Sequence, residues 1–300
     1  MSVFARISIA AVLIFFIGAP KAPAVTIDAH FIGGSVPDNA AGNGNLTDIV
    51  RAAARIWASC YSDSTAVTLY YGWAAVGDAA THALLTQGGN PNRETSGTIL
   101  FDNSGSVAFF LDPTPFSNEE YLRFTEESQD LGGGFVSVAR LYGNPGGEAA
   151  GRVDLLSVAL HEIGHALGLS AANASFVAES RTGVLYLGDN LPYAGTAIPL
   201  TYNNSGIIPH IDALEVSYGS VMAGINSDER RMPSELDILA NAQISRFMIL
   251  DLQVPSIHPY IMTGTIGKVR SRRLTGTAEI STPVRTTSTT IPTSRRTHRR

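Results

Sequence analysis

The sequence predicts an α/β chain of the α+β kind, in which short strands are interrupted by three helical segments. Runs of β-branched and aromatic residues bounded by turn residues recur along it, the clearest being Ala66-Val67-Thr68-Leu69-Tyr70-Tyr71. Apolar residues at three- and four-residue steps mark residues 46–60 and again the stretch from Asp154. Glycine-rich segments, Gly132-Gly133-Gly134 and Gly143-Asn144-Pro145-Gly146-Gly147, break the chain between the strand signals and the second helix. No repeat is evident.

From the N-terminus, Arg6 is followed by an apolar run from Ile7 to Ile17 and by Ala22-Pro23-Ala24. This is the layout of a secretory signal peptide, residues 1–24, cut after Ala24. The run falls short of the roughly 18 apolar residues that a membrane span needs, as does every later segment, so no membrane span is expected. The location implied is secreted or extracytoplasmic, either extracellular or periplasmic. What remains is long enough for one large domain, residues 25–260, with a tail at 261–300.

Residues 25–32 read as a weakly patterned strand ended by Gly33-Gly34, and 38–45 as a loop. Ile49, Ala53, Ile56 and Trp57 give residues 46–60 one apolar helical face. Strands follow at 66–71, 97–101 and 106–111, the last stopped by Asp112-Pro113-Thr114-Pro115. The second helix starts at Asp154, buries Leu155, Val158, Ala159, Ile163, Ala166 and Leu167, and ends at Gly168. Ser234-Glu235-Leu236-Asp237 resembles a capping box, with Asp in place of the usual Glu or Gln, and opens a C-terminal helix through about Phe247.

Cys60 is the only cysteine, so no intramolecular disulfide can form. It sits on the apolar stripe of the first helix and reads as a buried structural thiol, not a latency thiol. The net charge of -5 hides an asymmetry: from Lys268 on there are nine basic residues and one acid, against ten basic and twenty-five acidic residues in 25–267. The acidic body excludes nucleic acid as its partner. The basic Thr/Ser/Arg-rich tail reads as disordered and solvated. Three triplets that fit the glycosylation pattern, at Asn45, Asn173 and Asn203, are assigned no role.

The chemistry concentrates in His161-Glu162-Ile163-Gly164-His165. Two histidines four apart on a helix share a face and can offer imidazole nitrogens to one ion, for which zinc is suited. Glu162 can reach the open coordination position, take a proton from water there and pass it to a leaving amine. This is the zinc-peptidase motif with its mechanism attached. Catalytic zinc takes a third protein ligand.

In the metzincin motif a His stands three residues after the helix-ending Gly, but here that position is Ala171. The best candidate is His210, in Ile208-Pro209-His210-Ile211-Asp212, because Met222 follows twelve residues later within Ser220-Val221-Met222-Ala223, which resembles a Met-turn. Glu179, Asp212 and Asp189 are its rivals. Over roughly residues 155–251 the chain resembles the leishmanolysin-like branch of the metzincins, in which an insertion separates the Gly from the third His. The resemblance implies a single zincin-like domain with a mixed β-sheet, an active-site helix and a C-terminal helix. It implies zinc on His161, His165 and His210, Glu162 as general base, and Met222 as hydrophobic support.

The function expected is that of a secreted zinc-dependent endopeptidase acting on a protein or peptide substrate. The alternatives are a secreted binding or surface-interaction protein on the same scaffold, with structural zinc or lost activity, and a zinc hydrolase of non-peptide substrates. The segment between Ala171 and Pro209 is expected to supply substrate-facing loops. His30, His82, His258 and His298 stand outside any motif and read as structural or solvent-exposed. Little chain lies between Val25 and the first clear strand, so no propeptide is expected.

Overall fold

The computed structural model describes residues 25–203 and 206–253. The expected signal peptide, the basic tail, His258 and His298 lie outside the described residues. Strand β1 (Thr26–Gly33) leads through α1 (Leu46–Cys60) to β2 (Ala66–Ala74), β3 (Ala80–Gly88) and β4 (Arg93–Asp102). These strands make a four-stranded sheet in the order β1-β2-β4-β3, with β1, β2 and β4 parallel and β3 antiparallel at one edge. The sheet is therefore mixed, and the class is α+β as expected. A parallel β1–β2 pair needs a long crossover, and α1 supplies it.

Helix α1 begins where the Asn45 side chain accepts from Asp48 N, a good cap because it satisfies an amide that has no partner in the helix. Ile49, Ala53, Ile56 and Trp57 are buried along its expected face. Cys60 is buried too, and burial pushes its thiol up to about 12, which keeps it protonated and unreactive.

The chain continues through β5 (Phe109–Phe110), β6 (Tyr121–Asp130), β7 (Phe135–Pro145), a 3-10 turn and β8 (Val153–Asp154) to α2 (Leu155–Leu167). After α2 come α3 (Ala174–Glu179), β9 (Val184–Tyr186), β10 (Ala197–Asn203), β11 (Gly206–Ile211), β12 (Glu229–Met232) and α4 (Glu235–Ser245). Strands β12, β7 and β6 form an antiparallel sheet, and β11, β10 and β9 another.

All thirteen residues of α2 are buried, the pattern of a helix enclosed on every side. Its N-cap is Asp154, whose carboxylate accepts from Ser157 N at 2.9 Å and Ser157 Oγ at 2.7 Å. The fully buried guanidinium of Arg230 on β12 bridges Asp154, at 2.8 Å, to Asp112. At the other end Gly168 caps the helix, where a Cβ would come 3.0 Å from Asn241 Oδ1 and 3.1 Å from Ser245 Oγ. Trp57 Nε1 on α1 donates to Leu160 O on α2 at 2.9 Å, tying the two helices.

The structure corrects three expected boundaries. Only Phe109–Phe110 of residues 106–111 is strand, because the Ser104 and Ser106 hydroxyls fold back onto the Asp102 carboxylate. Gly143 does not break the chain; β7 runs through it to Pro145 because Arg123 and Glu229 pair with it from either side. Helix α4 stops at Ser245, where Arg246 turns into the left-handed region at φ 48°. Strands β3 and β6–β12 correspond to none of the strands expected from the sequence.

Candidate metal centre

His161 and His165 stand one turn apart on α2, and β11 brings His210 to meet them. Their Nε2 atoms lie 3.0 Å apart for His161–His165 and 3.3 Å apart for His165–His210. One ligand atom from each of the three falls within 4.8 Å of the others, close enough to hold a metal ion. Nitrogens bound tetrahedrally at 2.0–2.1 Å are separated by roughly 3.3 Å, so the spacing fits such a site.

The protonation pattern makes the same point. His161 Nδ1 donates to Val221 O at 2.7 Å, and His165 Nδ1 donates to Leu169 O. A carbonyl only accepts, so each Nδ1 carries the proton and each Nε2 of a neutral ring is bare. Burial, then the neighbouring His210, pushes His161 down to about 3. His165 is held well below its ordinary value by burial and by His161, and burial lowers His210. Bare lone pairs facing one another repel unless a cation lies between them, which is the condition of a metal ligand set with its outer hydrogen bonds made.

His210 is set by long-range contacts. Ile211 N donates to Met222 O at 3.0 Å and Asp212 N to Pro199 O at 2.9 Å. The β10–β11 register also shifts between Leu200 and Tyr202. Met222 is fully buried under α2, and a Cβ on Gly164 would overlap its Sδ; Gly164 is thus the residue that admits the methionine. The turn itself hangs on Asp237 of α4. Its carboxylate accepts from Ser220 Oγ at 2.5 Å, Met222 N at 3.2 Å and Val221 N at 3.4 Å, while closing the capping box with Ser234. The shorter Asp in place of Glu or Gln therefore does two jobs. Val221 in turn presents the carbonyl that orients His161.

Glu162 is 6% exposed and lines a cleft of about 440 Å³. Burial, and then the charge of Asp78, pushes its carboxyl up to about 8; a bound dication acts in the opposite direction. Ala80, Thr81 and His82 of β3, then Ala171, Pro209 and Ile225, form much of the cleft wall with the histidines. Ala171 faces the cleft at the motif's usual third-ligand position but carries only a methyl.

The rival ligands are engaged elsewhere. Glu179 accepts from Gln243 at 3.2 Å, Asp212 accepts from the amides of Leu214 and Glu215, and Asp189 is exposed. Residues 171–209 are not mainly cleft loops: they fold into α3, β9, β10 and the start of β11, because Asn173 caps α3 and β9 pairs with β10, and among the described residues only the ends of the segment reach the cleft. His30 pairs with Asp28 at the surface. His82, expected to be structural or solvent-exposed, has its side chain buried beside the site and bonded to Glu94, while Asp78, which also lines the cleft, carries no sequence signal. No family model, curated protein or solved structure matches the chain.

Proposed function

We propose that this chain is an exported zinc-dependent endopeptidase of the metzincin type, in the leishmanolysin-like arrangement. The observation that carries the reading is the convergence of His161, His165 and His210 at the foot of a cleft, the first two turning bare Nε2 atoms to one point, with Glu162 on the same helical turn. Three protein ligands leave a coordination position free, the pattern of catalytic rather than closed structural zinc. A zinc ion there supplies a Lewis acid that polarises a carbonyl and acidifies water. Glu162, beside the first histidine, takes the proton from the attacking water and returns it to the departing amine. The antiparallel edge strand β3 borders the cleft, and its free backbone groups suit an extended peptide. Among the described residues no helix is long and apolar enough to cross a membrane.

The deciding experiment measures zinc content and hydrolysis of a quenched-fluorescent peptide library in wild type and Glu162→Gln. Stoichiometric zinc in both, with turnover lost only in Glu162→Gln, is expected. Zinc retained without peptide turnover in wild type would overturn the peptidase reading in favour of a binding protein or of a hydrolase with another substrate.

A further inference from the structure

The β3–β4 hairpin carries a second pair of buried ionisable side chains that the proposed chemistry does not use. His82 Nε2 lies 2.9 Å from Glu94 Oε1, and the two side chains are 3% and 0% exposed. Strand β4 buries Gly97, Ile99 and Phe101 in alternation, a phase that would turn Glu94 to the opposite face. Register shifts between Leu84 and Thr86 and between Thr86 and Gln87 reset that phase, so Glu94 is buried as well. Gly97 makes the room: a Cβ there would overlap Glu94 Oε1 and come 3.0 Å from His82 Nε2. A buried carboxylate is unfavourable unless fully partnered, and Glu94 Oε2 has no hydrogen-bond partner among the described residues. Stability alone is a poor reason to keep it. The His82 ring, for its part, lies against the ring of His165, with centroids 6.3 Å apart and planes 25° from parallel.

We propose that His82 and Glu94 are positioning residues of the metal centre. The Glu94 carboxyl group holds the His82 ring in one orientation, and the His82 ring holds that of His165 for coordination. The proposal rests on the metal-site reading and is independent of whether the substrate is a peptide.

The test measures zinc affinity by competition with a chromophoric chelator, the visible spectrum of the cobalt(II)-loaded protein, and thermal unfolding of the metal-free full chain. Glu94→Leu removes the hydrogen bond that orients His82 at similar bulk. The double variant His82→Phe/Glu94→Leu replaces the pair with apolar groups of similar bulk and keeps the fold testable if a single change does not. Each is expected to lose roughly two- to thirtyfold in zinc affinity, the range for a change that reaches a ligand through packed side chains, with a shifted cobalt band. Wild-type affinity and an unshifted cobalt band in a folded variant would overturn the proposal. Wild-type protein that binds zinc but cleaves no peptide overturns the functional reading alone; wild-type protein that takes up neither metal overturns both.

Discussion

Helix α2 and the segment from β11 to the Met222 turn deliver ligands to one point by opposite means. In α2 the geometry is local: a four-residue step puts His161 and His165 on one face, and full burial leaves the helix one place to lie. Along the other route nothing local aims His210. It is held by the β10–β11 hairpin, by Ile211 bonded to Met222, and by Asp237 reaching across from α4. The helix pair is preorganised, whereas the third ligand depends on three separate elements staying docked.

Ligand replacement should expose this difference most strongly. His161→Ala and His165→Ala are expected to abolish stoichiometric zinc, exceeding the roughly 10–100-fold loss that an outer partner causes. His210→Ala should weaken zinc less, because the helix pair survives; zinc affinity by chelator competition decides, and an unaffected His210→Ala would break the comparison.

The two anchors come next. Arg230→Ala leaves Asp112 and Asp154 buried and unpaired at the start of α2, for an expected loss of about 3–5 kcal/mol in urea unfolding. Asp237→Ala opens the capping box and strands the donors of Ser220, Val221 and Ser234, for about 2–4 kcal/mol. Only the second should also lower zinc affinity once the protein is folded, since only it frees the carbonyl that orients His161.

Acid should separate the metal-free protein's histidines from ordinary ones. Folding lowers the pKa of His161 from 6.5 to about 3 and lowers those of His165 and His210 as well. For a base lowered by folding, the stabilisation is complete above its unfolded value and is lost as pH falls toward the folded one. Metal-free stability should therefore decline from pH 6.5 downward, and His165→Ala should make the decline shallower; urea unfolding at stepped pH measures both. The smallest effect is expected of Gly164→Ala, which presses a methyl on Met222 Sδ: about 1–3 kcal/mol by thermal unfolding.

Much of this was legible from residue order alone. The first helix, its buried Cys60, the Asp154 cap and the Gly168 stop depend on periodicity and capping, which act within a few residues, and the structure carries them all. The strands of the small sheets were not legible. Glu126, Glu127, Ser128 and Gln129 in β6 have neither apolar alternation nor β-branched bulk, and only pairing with β7 makes them strand. The surroundings of His82 were not legible for the same reason, since its neighbours stand twelve and eighty-three residues on.

The sequence by itself determined that two histidines share one helical face beside a glutamate, because a 3.6-residue period is a property of the backbone. How His210, a candidate from its spacing to Met222, comes to meet them, why Asp237 replaces the longer acid, and what Glu94 is buried against were decided by tertiary structure. Those contacts link residues 12 to 45 positions apart, and no local rule of geometry constrains such distances.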